Sequence, residues 1–428
     1  MSAVPPTPSA PLARPEDPRR GRRAVIAAAL GNALEWFDII VYAFMAPVIA
    51  TLFFPDLEDP IGLIVTFGLF GVSYLIRPLG AMAIGHYGDR HGRKAALTLT
   101  IALMTLGVAL MAFAPTYATI GVAAPLLIVV SRLVQGFSAG GEFGSATAFM
   151  TEHTQRHKAY YASWQVATQG ASMFLAATAG FLLHTQVSTE TLHAWAWRLP
   201  FVFGLLIGPV GLYIRLRMDD TPEFTDAEKV DSPLGATFRT HMPLVLTAAG
   251  CVGVATMSVY LITYLPTFAQ KNLGLPPWSG YAGAAVAGLI ALVGSPFVGR
   301  LADRVGQTRI MLTAAVIGML VSWPMFAVLT TAPAVGTLVA IEVVLGTLMA
   351  AYFAPLPSLL AELFPVEVRT TGMSLAYNIG VTLLGGFAPT ILAWLVTYHL
   401  QAPSFYYIAV ALLSIGCLVI ARRVYSAR

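Results

Sequence analysis

Six ionisable residues stand where an otherwise apolar sequence offers them no water: Glu35, Asp38, Arg77, Arg132, Glu142 and Glu342. Each costs about 2.5–3.5 kcal/mol if it faces lipid at mid-depth, so each must turn inward and find a partner. Glu35 and Asp38, one helical turn apart, share a face. Arg132, Gln135, Ala139 and Glu142 form a stripe at the same kind of spacing, and Ser138, Gly140 and Gly141 beside it let a neighbouring helix come close. The chemistry open to such groups is exchange of protons and anions. A carboxylate beside Arg⁺ stays ionised, whereas one desolvated without it favours the protonated form. An anionic solute that claims an arginine therefore leaves Asp38 or Glu35 favouring a proton. That couples the two movements without a metal, nucleotide or other cofactor, the proton gradient being the driving force. The competing reading is a permanent carboxylate–arginine bridge that only locks helices together.

The elements that must hold these residues are legible from composition. Hydrophobic residues make up 57% and charged residues 11%, too few charges to cover a soluble fold of 428 residues. The apolar runs exceed the roughly 18 residues that mark a spanning helix. The chain reads as an all-α membrane protein with twelve transmembrane helices, at 24–53, 62–86, 95–114, 118–147, 159–185, 198–217, 242–270, 279–301, 308–329, 334–361, 371–398 and 404–423. The fourth and tenth are among the longer ones, tilted or projecting beyond the hydrocarbon. Of the 25 Lys and Arg, only Arg77, Arg132, Arg198 and Lys271 lie outside the tails and the even-numbered loops. By the positive-inside rule both termini are cytoplasmic. This gives a disordered cytoplasmic tail at 1–23, a six-helix bundle at 24–217, a cytoplasmic linker at 218–241, a second six-helix bundle at 242–423 and a short tail at 424–428.

The same features exclude other classes. The net charge of +4 is accounted for by loop Arg and Lys on one membrane face, so no nucleic acid is called for. Cys251 and Cys417 both sit inside apolar runs and offer neither a disulfide framework nor a metal cluster. The first apolar run carries Glu35 and Asp38 with no small-residue cleavage site behind it, unlike a signal peptide.

A charged turn occurs twice. Gly85, Asp89, Arg90, Gly92, Arg93 and Lys94 recur in degraded form as Gly299, Asp303, Arg304, Gly306 and Arg309, so Asp303 repeats Asp89 half a chain later. Two copies of one bundle, related by pseudo-symmetry, explain the repeat, and duplicated bundles of this kind move small solutes. The turn reads as a cytoplasmic gate: at the end of the second span Asp89 can accept from a facing helix N-terminus or pair with loop arginines, in one orientation and not the other. Gln307 and Thr308 dilute the second copy, where a plain tight turn competes. The register that sets Gly136 on Gly346 also sets Arg132 on Glu342 and Glu152 on Glu362. It predicts a central cavity that is positive on its amino-terminal side. Tyr42, Tyr260, Thr263, Tyr264, Tyr377 and Asn378 are candidates to line the path, with Pro266, Pro355 and Pro357 as helix breaks near it, although packing is the commoner role for each.

The chain resembles the major facilitator superfamily and, within it, the metabolite–proton symporter family. The residues that carry the resemblance are Gly31 to Tyr42, Leu75 to Gly80, the turn at 85–94, Arg132 to Glu142, Trp197 to Phe201, Thr221 to Phe224 and Phe364 to Arg369, in order over about 24 to 423. The resemblance implies a twelve-helix, two-bundle transporter working by alternating access in a bacterial inner membrane, driven by protons and functional as a monomer. Tyr160 to Gln165, Tyr260 to Phe268 and Ser374 to Phe387 look most like the citrate and tricarballylate branch. The second-half turn departs from the family pattern in lacking paired arginines, as does His157-Lys158-Ala159 where a Lys/Arg-Gly step is usual.

The reading that results is a proton symporter importing a small organic anion, a di- or tricarboxylate such as citrate. Its substrate contacts would be Arg132, Arg77, Gln135, Tyr42, Tyr260, Tyr264, Tyr377 and Asn378, its proton carriers Asp38, Glu35, Glu142 and Glu342, and its gate Asp89, Arg90, Gly92, Arg93, Asp303 and Arg304. Arg132 favours a carboxylate because the guanidinium fork matches carboxylate geometry. The main rival is a symporter for a zwitterionic osmolyte or amino acid of the betaine or proline type. A membrane enzyme would need clustered catalytic groups, whereas the histidines here are scattered. A sensor that binds solute without moving it is the remaining rival.

Overall fold

The structure is a computed structural model that describes residues 18–91, 93–140, 157–216, 241–365 and 368–425. Among these residues every regular element is helical. In chain order they are α1 (Pro18–Phe53), α2 (Asp59–Leu75), α3 (Arg77–His91), α4 (Arg93–Ala112), α5 (Tyr117–Ile120), α6 (Ala123–Ala139), α7 (Lys158–Gln186), α8 (Thr189–Ala194) and α9 (Leu199–Leu216). The second half adds α10 (Met242–Lys271), α11 (Pro277–Val305), α12 (Gln307–Thr331), α13 (Val335–Phe353), α14 (Leu356–Leu363), α15 (Arg369–Val381), α16 (Ala388–Val396) and α17 (Ala402–Val424). Among the described residues nine helical stretches are long and apolar enough to cross a membrane, three of them continuing across a local break (Asp59–Ile84, Val335–Leu363 and Arg369–Val396), and Thr98–Ala112 and Ala123–Ala139 are shorter apolar helices.

Several boundaries differ from those the sequence predicts, each for a local reason. Helix α1 begins at Pro18, so residues 18–23 are helical rather than tail; proline suits a first helical turn and arginine propagates one. The single span expected over 62–86 is present as Asp59–Ile84, with one turn residue, Ile76, where Pro78 has no N–H to return to the Tyr74 carbonyl. That carbonyl accepts from the Ile76 N–H and, at 3.5 Å, from Thr382 Oγ1 of the second half. The span expected over 118–147 is split into α5 and α6 at Gly121, whose φ of 58° suits only a residue without Cβ; residues 141–156 lie outside the described residues. The span expected over 334–361 is present as Val335–Leu363, with Pro355 and Pro357 marking a turn between α13 and α14. The span expected over 371–398 carries a π turn at Thr382–Gly386 between α15 and α16. Of the expected linker, only the end at His241 is described, and of the last tail only Val424 and Tyr425.

Packing repeats between the halves, as the duplicated turn predicts. A Cβ on Gly136 would strike the Ser73 carbonyl of α2, and one on Gly346 would lie 2.7 Å from Ala287 Cα of α11. The register that sets Asp89 on Asp303 sets Ser73 on Ala287, so the two glycines perform the same close approach in the two halves. The halves meet chiefly along α7 and α11. Gly170 and Gly288 bring these helices backbone to backbone, a Cβ on Gly288 lying 2.6 Å from Phe174 N. Toward one end Gly299 lies against Ser163, and toward the other Tyr281 covers Gly180 while Trp278 stacks edge-on to Phe181 at 6.1 Å. Without a hydrophobic force between helices in lipid, such close approaches are what hold them together.

Candidate functional site

The ionisable residues of the first half form two buried pairs. Arg77, in the first turn of α3, donates through Nη2 to Glu35 Oε1 of α1 at 3.1 Å. Arg132, midway along α6, brings Nη1 to 3.4 Å from Asp38 Oδ2, an ion-pair distance without a hydrogen bond. Both pairs are sealed from solvent, Arg132 and Asp38 being 2% and 3% exposed. The glycines of the stripe on α6 make this possible: Gly136 and Gly140 admit the backbone of α2 and α3 at Ser73 and Arg77.

Each guanidinium also lies over an aromatic ring. The Arg132 carbon is 4.2 Å from the centroid of Tyr42, and that of Arg77 is 4.2 Å from the centroid of Tyr74. A cation over a ring face is worth about 0.5–2 kcal/mol, more where water is excluded. Tyr42 is fixed by donating its hydroxyl to the Thr66 carbonyl at 3.0 Å. Tyr74 is fixed by a short hydroxyl–hydroxyl bond to Tyr260 of α10, in the other half. Phe70 closes the group, with centroids 6.2 Å from Tyr42, 5.5 Å from Tyr74 and 5.4 Å from Tyr260. The outcome is one buried cluster, held by α1, α2, α3, α6 and α10, that joins the charged pairs of one half to the aromatics of the other.

The pairing leaves donors over. Among the described residues Arg132 Nε and Nη2 and Arg77 Nε have no hydrogen-bond partner, and neither oxygen of Asp38 has one. Removing one partner of a buried ion pair costs about 3–5 kcal/mol, so a guanidinium here must keep a counter-charge throughout. An incoming carboxylate and the resident Asp38 can both supply it. Since the Asp38 contact is the longer and lacks hydrogen bonds, Arg132 is the guanidinium readier to change partners.

A model of the "Major Facilitator Superfamily" matches residues 28–389 and, in an overlapping match, 284–427. The chain belongs to the major facilitator superfamily. Among its relatives, the citrate–proton symporter of Klebsiella pneumoniae is 34% identical, covering 88% of this chain and 85% of the relative. The glycine betaine/proline/ectoine/pipecolic acid transporter OusA of Dickeya dadantii is 32% identical, covering 93% of this chain and 83% of the relative. Among solved structures, a D-xylose–proton symporter superposes with a TM-score of 0.74 at 15% identity, covering 94% of this chain and 97% of that one, which is a likeness of fold. The protein is thus a membrane transporter of this superfamily rather than an enzyme.

Within this superfamily fold, Glu35, Asp38, Tyr42, Arg77, Arg132 and Tyr260 come together in one cluster. Tyr264 lies one turn further along α10, edge-on to Phe67 at 5.9 Å. Asn378 of α15 donates to the Gly140 carbonyl at 3.2 Å, again across the halves, and Tyr377 beside it is 2% exposed. Gln135 is buried with Nε2 unbonded, its stem against Gly107 of α4. Glu342 is set apart from the arginines: it is fully buried on α13, its stem packed where a Cβ on Gly283 of α11 would lie 2.7 Å from its Cγ, and neither carboxyl oxygen is bonded. Glu142 and Gly92 lie outside the described residues, and so do the side chains of Asp89, Arg90 and Arg93.

Two expectations need correction or completion. Among the described residues the amino-terminal side shows no excess positive charge, because the buried Arg77 and Arg132 each have a carboxylate beside them. Of the charged turn read as a gate, it is the diluted second copy whose contacts are described. Asp303, near the end of α11, accepts from the Ala159 N–H at 2.9 Å and the Tyr160 N–H at 3.1 Å, capping the first turn of α7 across the halves. Arg300 reinforces it from 4.6 Å over the Tyr160 ring, Arg304 is exposed, and Gln307 donates to Glu362 at 3.0 Å.

Sequence reasoning missed Tyr74 and Phe70. Tyr74 stands one turn before Arg77 on the same face, a spacing that would have found it. Nothing in the local pattern marks Phe70 within a long apolar run.

Proposed function

We propose that this transporter is a proton symporter that imports a small di- or tricarboxylate, of which citrate and tricarballylate are examples, across a bacterial inner membrane by alternating access. In this reading twelve helices cross the membrane in two six-helix bundles with both termini in the cytoplasm, the protein works as a monomer in the bilayer, and the proton gradient takes the place of a cofactor. The observation that carries it is the buried Arg132–Asp38 pair, with two Arg132 donors and both Asp38 oxygens unbonded.

Charge balance supplies the coupling. With both pairs intact the first-half cluster is formally neutral and has no net attraction for an anion. A proton on Asp38 leaves Arg132 in excess, and an anionic carboxylate then restores neutrality through the guanidinium fork. Neither ligand is well held alone, so both travel together. Arg77, with Nε unbonded and its ring partner Tyr74 touching the other half, is placed for a second carboxylate.

The rival substrate is a zwitterionic osmolyte or amino acid, as OusA's name says of that relative. A quaternary ammonium is recognised by open aromatic faces. Here Tyr42 and Tyr74 each already carry a guanidinium, which disfavours a second cation and favours an anion. The test is a radiolabelled panel in proteoliposomes under an imposed proton gradient. Citrate or a related carboxylate should accumulate faster with acid outside, without competition by betaine or proline. Betaine or proline uptake that citrate leaves untouched would replace this reading with the rival.

A further inference from the structure

Gln169 of α7 plays no part in the cluster described above, yet it is 1% exposed and, among the described residues, neither Oε1 nor Nε2 has a partner. Leaving a buried amide with both ends unmade costs about 1–3 kcal/mol for each unsatisfied group. Its two ends are unmade whichever way the amide is flipped.

The position of Gln169 follows from its neighbours. Asn32 donates to the Gln165 carbonyl and to Thr168 Oγ1, both at 3.0 Å, and Ser172 donates to the Ala33 carbonyl at 2.5 Å. These bonds fix α7 against α1 so that Gln169 lies level with Asn32 and Ala33, within one turn of Glu35. Thr168 and Ser172 point to α1, Gly170 touches α11, and Trp164 and Leu175 are exposed on the outer side. Gln169 falls between the first two directions and opposite the third. Its amide therefore lies on the inward side of α7, between the halves, about one helical turn from the level of Glu35 on α1.

An amide has a donor end and an acceptor end, and a bare carboxylate satisfies only the donor. A hydroxyl satisfies both, accepting from Nε2 and donating to Oε1. We infer that Gln169 is a specificity-determining residue of the substrate site, selecting carboxylates that carry a hydroxyl group over the same skeleton without one. This rests on the carboxylate reading above and narrows its substrate class to hydroxy-di- and hydroxy-tricarboxylates. A site built to hydrogen-bond a substrate hydroxyl rejects the analogue that lacks it, because the buried polar groups are then left unpaired.

The test compares citrate with propane-1,2,3-tricarboxylate, which differs only in the hydroxyl, in proteoliposomes containing the full chain under an imposed proton gradient. The wild-type protein should prefer citrate by about 10–100-fold in half-saturating concentration, the range set by one unsatisfied buried group. Gln169→Met, nearly the same shape without the amide, should bring the ratio close to one. Equal handling of the two anions by the wild type, or an unchanged ratio in Gln169→Met, overturns the inference; the wild-type ratio decides even if the variant does not fold. If neither tricarboxylate is moved, and malate and succinate are not either, it is the carboxylate reading that has failed. Transport of both skeletons at equal efficiency leaves that reading standing and removes only the role of Gln169.

Discussion

At the scale of single residues, the site is defined by which buried charges have a choice of partner. Arg77 holds Glu35 by a hydrogen bond, whereas Arg132 meets Asp38 at ion-pair distance only. Arg132→Lys keeps the charge and loses the fork, so it should weaken carboxylate transport by about 10–100-fold, the value of a charge-assisted hydrogen bond or two. The measurement is the half-saturating concentration in uptake assays, and a near-normal value would exclude direct bidentate contact. Glu342 is the complementary case: a carboxyl with no cation beside it, packed against Gly283 and occupying the repeat position of Arg132. If it carries a proton through the cycle, Glu342→Gln, which is nearly the same shape as the protonated acid, should flatten the dependence of uptake on external pH. Uptake and pH profile both unchanged would leave Glu342 a packing residue.

At the scale of helices, glycines set the distances and one carboxylate sets the contact between halves. Gly136 has the Ser73 backbone where a Cβ would go, and a backbone cannot step aside as a side chain can. Gly136→Val should therefore lower thermal stability in detergent by several degrees and pull Arg132 away from Asp38, while Gly336→Ala, with open space around it, should change neither. Asp303 caps α7 from the opposite half with two backbone hydrogen bonds. Losing such a cap costs about 1 kcal/mol, roughly a fivefold shift of a two-state equilibrium. In Asp303→Ala, a cysteine placed at Ser163 should react with a water-soluble thiol reagent about five times faster, since Ser163 lies under Gly299 in the latched arrangement. An unchanged rate would mean that the contact does not hold the halves together.

These same helices show how far the sequence could be read. Charged residues in apolar runs announced Glu35, Asp38, Arg77 and Arg132, because lipid makes an unpaired charge expensive. The pairing of Arg77 with Glu35 and Arg132 with Asp38 was not announced, since it depends on which faces of α1, α3 and α6 meet. Tyr74, Phe70 and Gln169 passed unnoticed for a related reason: an aromatic or an amide carries no charge, and whether it lacks a partner shows only once the neighbouring helices are in place. The excess positive charge expected on the amino-terminal side vanished because each guanidinium recruited its own carboxylate, and charge balance in a closed interior outweighs any count of one residue type. The helix breaks at Ile76 and after Phe353 were foreshadowed by Pro78, Pro355 and Pro357, but proline in a membrane helix can also be absorbed by a kink.

At the scale of the whole molecule, two halves with matching close contacts meet along α7 and α11, and the charged cluster of the first touches the aromatics of the second through Tyr74 and Tyr260. A change of partner at Arg132 is thereby felt at the boundary along which alternating access would move. The most direct test of that claim is uptake of labelled citrate by Asp38→Asn in proteoliposomes, with and without acid outside, alongside exchange of labelled for unlabelled citrate at equal pH. The account predicts that the wild type accumulates citrate only when the outside is acid, and that Asp38→Asn still exchanges citrate but no longer responds to the gradient. Acid-driven accumulation by Asp38→Asn at the wild-type level would contradict it.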